Sequence, residues 1–164
     1  GESWQTSPMR IVAITITWAV LATTAIAADT ITGRVVGITD GDTITLRTTT
    51  DTIKVRLTGI DAPERGQPFG TKAKQALSGQ VFGKDVTVKS SGEDRYGRTL
   101  GEIILDGESV NVRLVRGGWA WWYELYAPDD NQLRDAQQEA RQAGRGLWAD
   151  PNPVPPWEWR RGKR

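Results

Sequence analysis

Between residues 30 and 59 apolar and polar positions alternate. Ile31, Val35 and Ile38 fall in a first run, Ile44 and Leu46 in a second, and Ile53, Val55 and Leu57 in a third. A period of two puts one set of side chains on a buried face. The breaks at Gly41 and at residues 48–51 turn the chain back, so this stretch predicts an antiparallel meander. Over 68–81 the period lengthens, and Phe69, Ala73, Ala76 and Leu77 share one helical face. Residues 84–89 and 99–105 read as two further strands, with 94–98 in their connection. Residues 109–116 read as a short helix that Ser109 can cap, Val112 and Val115 can anchor, and Gly117-Gly118 ends. A last helix is expected from Asp129 or Asp130. Its Leu133, Ala136, Ala140 and Ala143 recur at spacings of 3, 4 and 3, and Gly144 and Gly146 terminate it. The pattern predicts an α+β, mainly β fold: a five-stranded Greek-key barrel of the OB type with three helices.

The segments outside this pattern differ in kind. Met9-Arg10, the apolar run from Ile11 to Leu21, and the small residues ending Ala25-Ile26-Ala27 have the layout of a secretory signal peptide. The run is short and rich in threonine for a membrane span. Residues 1–27 are therefore expected to be leader, residues 1–8 of it an upstream remnant, and 28–149 the folded domain. Cleavage near Ala27 predicts an exported protein, periplasmic or extracellular, with no lasting membrane association. Residues 150–164 carry four prolines and a basic end, Arg160-Arg161-Gly162-Lys163-Arg164. This tail is expected to be extended, with Pro155-Pro156-Trp157 against the body and the basic end loose.

At 164 residues and a formal charge of +1, the chain is expected to form one domain, a monomer, with no bulk basic field. It has neither histidine nor cysteine. That removes Ser-His-Asp hydrolysis, histidine-based nucleases, thiol nucleophiles, disulfides and most catalytic zinc sites. Acid-base work falls to carboxylates, Lys, Tyr or metal-bound water.

Three short motifs hold what chemistry remains. Asp40-Gly41-Asp42-Thr43 lies between two strands, where Asp-Gly also reads as a plain hairpin turn. As an EF-hand it fails, because Thr45 stands at the glycine position and Asp51 at the final glutamate position. Arg56 precedes Asp61-Ala62-Pro63-Glu64 at the end of the third strand. Pro63 holds Ala62 extended, so Asp61, the Ala62 carbonyl and Glu64 can converge on one point. A cation shared with Asp42 would partner carboxylates that a half-buried strand end would otherwise leave alone. Calcium suits this all-oxygen set, with magnesium as the fallback. In Asp94-Arg95-Tyr96-Gly97-Arg98 the bland reading is a polar turn. Arg98, however, begins a strand and can face Arg56 across a barrel mouth, where two guanidiniums would hold one phosphate. The tryptophans at 119, 121 and 122 read mainly as packing. Tyr126 and Tyr96 are candidate stacking faces for substrate, and Lys72 is a candidate backbone contact.

With these residues the chain resembles the staphylococcal nuclease (thermonuclease) family, in particular its small secreted or periplasmic bacterial members. The resemblance rests on Asp40–Thr43, Arg56 to Glu64, Asp94–Arg98, and Val110-Asn111 through Val115-Arg116-Gly117-Gly118-Trp119-Ala120, in order, and runs from about Thr30 to Trp148. It implies an OB-fold barrel with calcium-dependent endonuclease activity on DNA and RNA, cutting the 5′ P–O bond and leaving 3′-phosphate ends. It implies Asp42, Asp61 and the Ala62 carbonyl as calcium ligands, Glu64 as the base that activates water, and Arg56 and Arg98 as phosphate-binding catalytic residues. Asp40 and Asp94 become turn and support residues. Two positions depart from the family pattern. Ala62 replaces a threonine, and Glu124 replaces one of two nucleotide-contacting tyrosines, of which Tyr126 matches the other. The competing expectations are a non-catalytic OB-fold nucleic-acid binder and a calcium-stabilised structural module.

Overall fold

The computed structural model describes Gly1 and residues 29–163. Apart from Gly1, the expected leader lies outside the described residues. The strands are β1 (Asp29–Asp40), β2 (Thr43–Arg47), β3 (Thr52–Leu57), β4 (Ile60–Asp61), β5 (Asp85–Glu93), β6 (Thr99–Leu105), β7 (Glu108–Ser109) and β8 (Trp121–Trp122). The helices are α1 (Gly70–Val81), α2 (Val110–Arg116), α3 (Asn131–Gln142) and α4 (Pro156–Trp159), with a 3-10 turn at Gly146–Ala149.

The five long strands lie in the order β3-β2-β1-β5-β6, antiparallel throughout, and a parallel pairing of β3 with β6 closes the ring. This is the expected OB-type barrel. Strand β1 pairs with β2 through its second half and with β5 through its first. Register shifts near Val35–Gly37 and Ile38–Asp40 let it bend between the two partners.

Alternation becomes burial in the way the sequence predicts. Thr99, Gly101, Ile103 and Leu105 of β6 face inward, joined in the core by Val35, Ile44, Leu46, Val55 and Val88. Each large aliphatic side chain so buried contributes roughly 1.5–3 kcal/mol. At Gly101 the barrel wall leaves no room for a side chain, since a Cβ there would lie 2.4 Å from Val88 Cγ1. Helix α1 buries Ala73, Leu77 and Val81, α2 buries Val110, Leu114 and Val115, and α3 buries Leu133, Ala136 and Ala140.

Several expectations shift in detail. Helix α1 begins at Gly70 rather than Pro68, with Phe69 in the left-handed region at φ 68°. Asp130, not Asp129, caps α3, its carboxylate accepting from the Leu133 amide at 3.0 Å. Ala143 lies at the C-cap and is exposed. Ser109 caps α2 as expected, accepting from the Val112 amide at 3.2 Å. Strands β4 and β8 pair with each other but are two residues long, too short to carry a period. The tail is not simply extended. It ends in the turn of helix α4, and Arg160 just after it is docked rather than loose. The prolines set this up: Pro155 is extended and Pro156 occupies the first helical turn, where a missing N–H costs nothing. Among the described residues, no helix is long and apolar enough to cross a membrane.

Candidate active site at the barrel mouth

Three adjacent strands end or begin at one mouth of the barrel. Thr43 opens β2 opposite Arg56, and Arg56 pairs with Leu100 across the parallel seam. Asp42, Arg56 and Arg98 are thereby neighbours in space. Strand β4 adds Asp61, fixed by its pairing with Trp121 of β8. The β8 segment continues into Tyr123, whose amide donates to the Gly59 carbonyl at 2.8 Å, and so carries Tyr123 and Tyr126 to the same place. Asp42, Arg56, Asp61, Arg98, Tyr123 and Tyr126 line one cleft of about 390 Å³, together with Ala62, Glu64 and Tyr96.

The floor of the cleft is acidic and buried. Asp42 is 6% exposed and Asp61 1%. Both carboxylates lie 3.2 Å from the same Arg56 nitrogen, Nη2. Arg56 Nη1 donates to the carbonyls of Leu57 at 2.7 Å and Ile60 at 3.0 Å. One guanidinium therefore binds the two acids and also ties the β3–β4 turn together. The Ala62 amide donates to Asp42 Oδ2 at 2.8 Å, and the Thr43 hydroxyl donates to Oδ1 at 3.2 Å. Burial nevertheless pushes the Asp42 carboxyl up to about 7; Arg56 pulls it down and the neighbouring Asp40 adds to the rise.

The glycine of Asp40-Gly41-Asp42 answers to this packing. A Cβ on Gly41 would fall 2.7 Å from the Ala62 Cβ and 2.8 Å from that of Ala73. The turn is pressed against the acidic loop and α1, with no room for a side chain. Asp40 accepts from the Asp42 amide at 3.1 Å, a turn-supporting role.

Glu64 stands at the cleft's edge, half-buried. Its amide donates to Gln67 Oε1 at 2.9 Å, and its carbonyl accepts from the Gln67 amide at 3.0 Å. Gly70 packs so closely beneath that a Cβ there would overlap the Glu64 carbonyl oxygen at 2.1 Å. On the opposite edge Arg98 is held by Asp94. The Arg98 Nε donates to Asp94 Oδ2 at 2.7 Å and its amide donates to Oδ1 at 3.0 Å. Partial burial raises the Asp94 carboxyl, but the Arg98 amide and guanidinium and the Tyr96 amide together hold it below the usual carboxylate value.

The rim is aromatic and open. Tyr96 is 68% and Tyr126 73% exposed. Arg95 and Arg98 both lie over the Tyr96 ring, at 4.8 and 5.6 Å from its centroid. Lys72 is not among the cleft's lining residues. It sits on α1 with its ammonium 5.5 Å from the Phe69 ring centroid. Asn111, part of the Val110-Asn111 motif, works inside the fold: it accepts from the Ile103 amide at 3.1 Å and donates to the Thr58 carbonyl at 2.9 Å, locking α2 to the turn before β4.

Two participants escape the sequence reading. Tyr123 lines the cleft and stacks flat on Trp157, with centroids 4.9 Å apart at 5°. Arg160 reaches in from the tail. Its Nη2 donates to Asp61 Oδ2 at 2.8 Å, and its Nη1 donates to Glu64 Oε1 at 2.6 Å and to Asp61 Oδ1 at 3.3 Å. A basic tail reads as solvated surface, and no local pattern joins residue 160 to residue 61.

The donor set fits a hard divalent cation. It is all oxygen, two of its carboxylates are buried, and one of these is poorly compensated for its burial. Among the described residues, no three acidic side chains cluster at metal-ligand spacing. Asp42 and Asp61 would be completed by a backbone carbonyl and water, as calcium accepts.

Comparison with known proteins agrees with this geometry. The family pattern described as "Staphylococcal nuclease homologue" matches residues 54–150. An "Uncharacterized endonuclease" of Escherichia coli O157:H7 is 48% identical over 132 residues, covering 80% of this chain and 86% of the relative. A second "Uncharacterized endonuclease", of Haemophilus influenzae, is 46% identical over 132 residues, covering 80% and 74%. A "Micrococcal nuclease" of Shigella flexneri is 43% identical over 142 residues, covering 80% and 82%. By the strand order, by the acids and arginines at the barrel mouth, and by this match over most of its length, the chain belongs to the staphylococcal nuclease family.

Proposed function

We propose that the chain is a calcium-dependent endonuclease that hydrolyses DNA and RNA at the 5′ P–O bond and leaves 3′-phosphate ends. The observation that carries this reading is the meeting of Asp42, Asp61, Glu64, Arg56 and Arg98 at one cleft. Calcium held by Asp42, Asp61 and the Ala62 carbonyl would neutralise the phosphate and make water a better nucleophile. The remaining work falls to side chains. Glu64, its backbone fixed from both sides by Gln67, accepts the proton of the attacking water. As the water oxygen bonds to phosphorus, the bond to the 5′ oxygen breaks, and that oxygen takes up a proton from solvent as it leaves. Arg98 and Arg56 face the charge that builds on the phosphoryl oxygens. Asp94 keeps Arg98 aimed, and the chain's own frame holds Arg56 in place before substrate arrives. The exposed rings of Tyr96 and Tyr126 offer stacking faces to bases, a sequence-tolerant contact that suits a substrate range spanning DNA and RNA.

One chain supplies the whole cleft, so a monomer suffices. Export is part of the same reading and rests on residues 9–27 of the sequence. Sequencing the N-terminus of the mature protein would test it, with Ala28 or a near neighbour expected first.

Cleavage of single- and double-stranded substrates by the wild type and by Glu64→Gln, in calcium and then in chelator, tests the activity. Glu64→Gln is expected to lose on the order of 10²–10⁴ in rate, with 3′-phosphate ends in the wild-type products. Undiminished cleavage by the variant, or by the wild type in chelator, would overturn the mechanism.

A further inference from the structure

The chain beyond α3 crosses back over the barrel mouth and is held there at successive points. The Leu147 amide donates to the Gly118 carbonyl at 2.9 Å, where two glycines touch backbone to backbone; a Cβ on Gly146 would lie 2.2 Å from the Gly118 oxygen. Gln67 Nε2 donates to the Val154 carbonyl at 2.7 Å. Trp157 stacks on Tyr123 and meets Trp121 edge-on at 5.6 Å. These anchors deliver Arg160 as a fixed fork rather than a wandering surface cation. Its two terminal nitrogens take both oxygens of Asp61 and one of Glu64.

This position conflicts with a divalent ion. Asp61 is 1% exposed and has two oxygens, and both are engaged by Arg160, one of them also by Arg56. An ion bound to Asp61 with Arg160 in place would sit beside a permanent positive charge in a poorly hydrated site, where like charges repel strongly. The Asp61 hydrogen bonds raise the already high proton affinity of Arg160, with those of Glu64 adding to it against the pull of burial, so the guanidinium does not relieve the conflict by losing its proton. It can leave, however. Its side chain is 44% exposed, and all three of its hydrogen bonds within the cleft go to carboxylates.

We infer that Arg160 is a tethered cation that competes with the divalent ion for Asp61 and thereby sets the affinity of the site for that ion. The inference rests on the reading of Asp42 and Asp61 as cation ligands. Binding of the ion frees Arg160 from Asp61 and leaves it at the cleft's edge beside Glu64.

Calcium titration of the full chain by calorimetry, without substrate, tests this. Arg160→Ala is expected to bind calcium about tenfold more tightly than wild type, and Arg160→Lys should fall between them, since an ammonium cannot fork across both oxygens. Arg160→Gln keeps a hydrogen-bonding side chain without the charge. It should behave like the alanine variant, and it carries the test if that variant is poorly folded by circular dichroism. Equal affinity in the wild type and the neutral variants, or weaker binding in the variants, overturns the role of Arg160 and leaves the cation site standing. Absence of calcium binding in all forms removes the cation reading itself, and this inference with it.

Discussion

Arg56 and Arg160 both reach Asp61, one from inside the barrel and one from the tail, and their commitments differ. Arg56 spends half its guanidinium on the carbonyls of Leu57 and Ile60 and the other half on Asp61, with Asp42 alongside. Arg160 gives its bonds in the cleft to the carboxylates of Asp61 and Glu64 and keeps 44% of its side chain in solvent. The first is part of the wall that holds the acids in place; the second is an occupant of the space those acids enclose. Two arginines on one aspartate can therefore have opposite effects on a site, and what separates them is how many of their bonds go to backbone.

The strongest way to break this comparison is Arg56→Met. It strips the countercharge from two buried acids and frees two turn carbonyls, so a loss of about 3–5 kcal/mol in urea unfolding is expected, together with loss of nuclease activity. Arg160→Ala should cost less, about 1 kcal/mol in the same measurement, because the Arg160 side chain is 44% exposed and Arg56 still partners the buried Asp61 when it is gone. If the two variants unfold alike, the distinction between wall and occupant is lost.

The pH dependence comes next. The folded-state carboxyl of Asp42 titrates at about 7, above its ordinary value of 3.8. A raised carboxyl binds its proton more tightly folded than unfolded. In chelator, stability attributable to Asp42 is thus greatest below the ordinary value and falls as pH rises through about 7. Melting followed from pH 5 to 8 should show this slope in the wild type and a flatter one in Asp42→Asn. Calcium should restore stability most at the alkaline end, where the carboxylate is ionised.

A smaller effect is expected for Gln67→Ala. It leaves the Glu64 amide and the Val154 carbonyl without their partner, at about 1–2 kcal/mol. Because Gln67 also bonds the acidic loop to the tail, ahead of Arg160, its loss should also move calcium affinity in the direction of the Arg160 variants. Unchanged affinity would mean that the aromatic anchors hold Arg160 without it. Smallest of all in stability is Tyr126→Ala. On the open rim it should change unfolding by less than about 0.5 kcal/mol while weakening single-strand binding by roughly 1–3 kcal/mol in a gel or fluorescence titration.

Much of this molecule was legible along the chain because its strands are half-buried. Ile44, Leu46, Val55 and Leu57 alternate in the sequence for the same reason that they alternate in the wall. The acids were legible because Asp42 and Asp61 stand at strand ends, where a carboxylate needs a reason to be. What could not be read is what distance in sequence hides. The β4–β8 pair that fixes Asp61 is too short to leave a period, and Gly41 is a glycine because of Ala62 and Ala73, not because of its own turn. The docking of Arg160 is hidden because a basic, proline-rich run has the composition of a loose tail. Its docking depends on aromatic and backbone partners from three other segments.

The parallel seam between β3 and β6 has a consequence for when this molecule becomes active. Val55 meets Thr99 only after α1 and β5 have been laid down between them, so closing the ring is a long-range pairing with a large loop-closure cost, as the β1–β5 pairing also is. Until it closes, Asp42 and Arg56 can share a hairpin while Arg98 is elsewhere. Partly folded chains would carry Asp42 and Arg56 without the full phosphate grip, and hydrolytic competence would arrive only with closure of the ring. Recovery of activity during refolding should therefore lag the recovery of strand signal, which makes the enzyme's own turnover a clock for barrel closure.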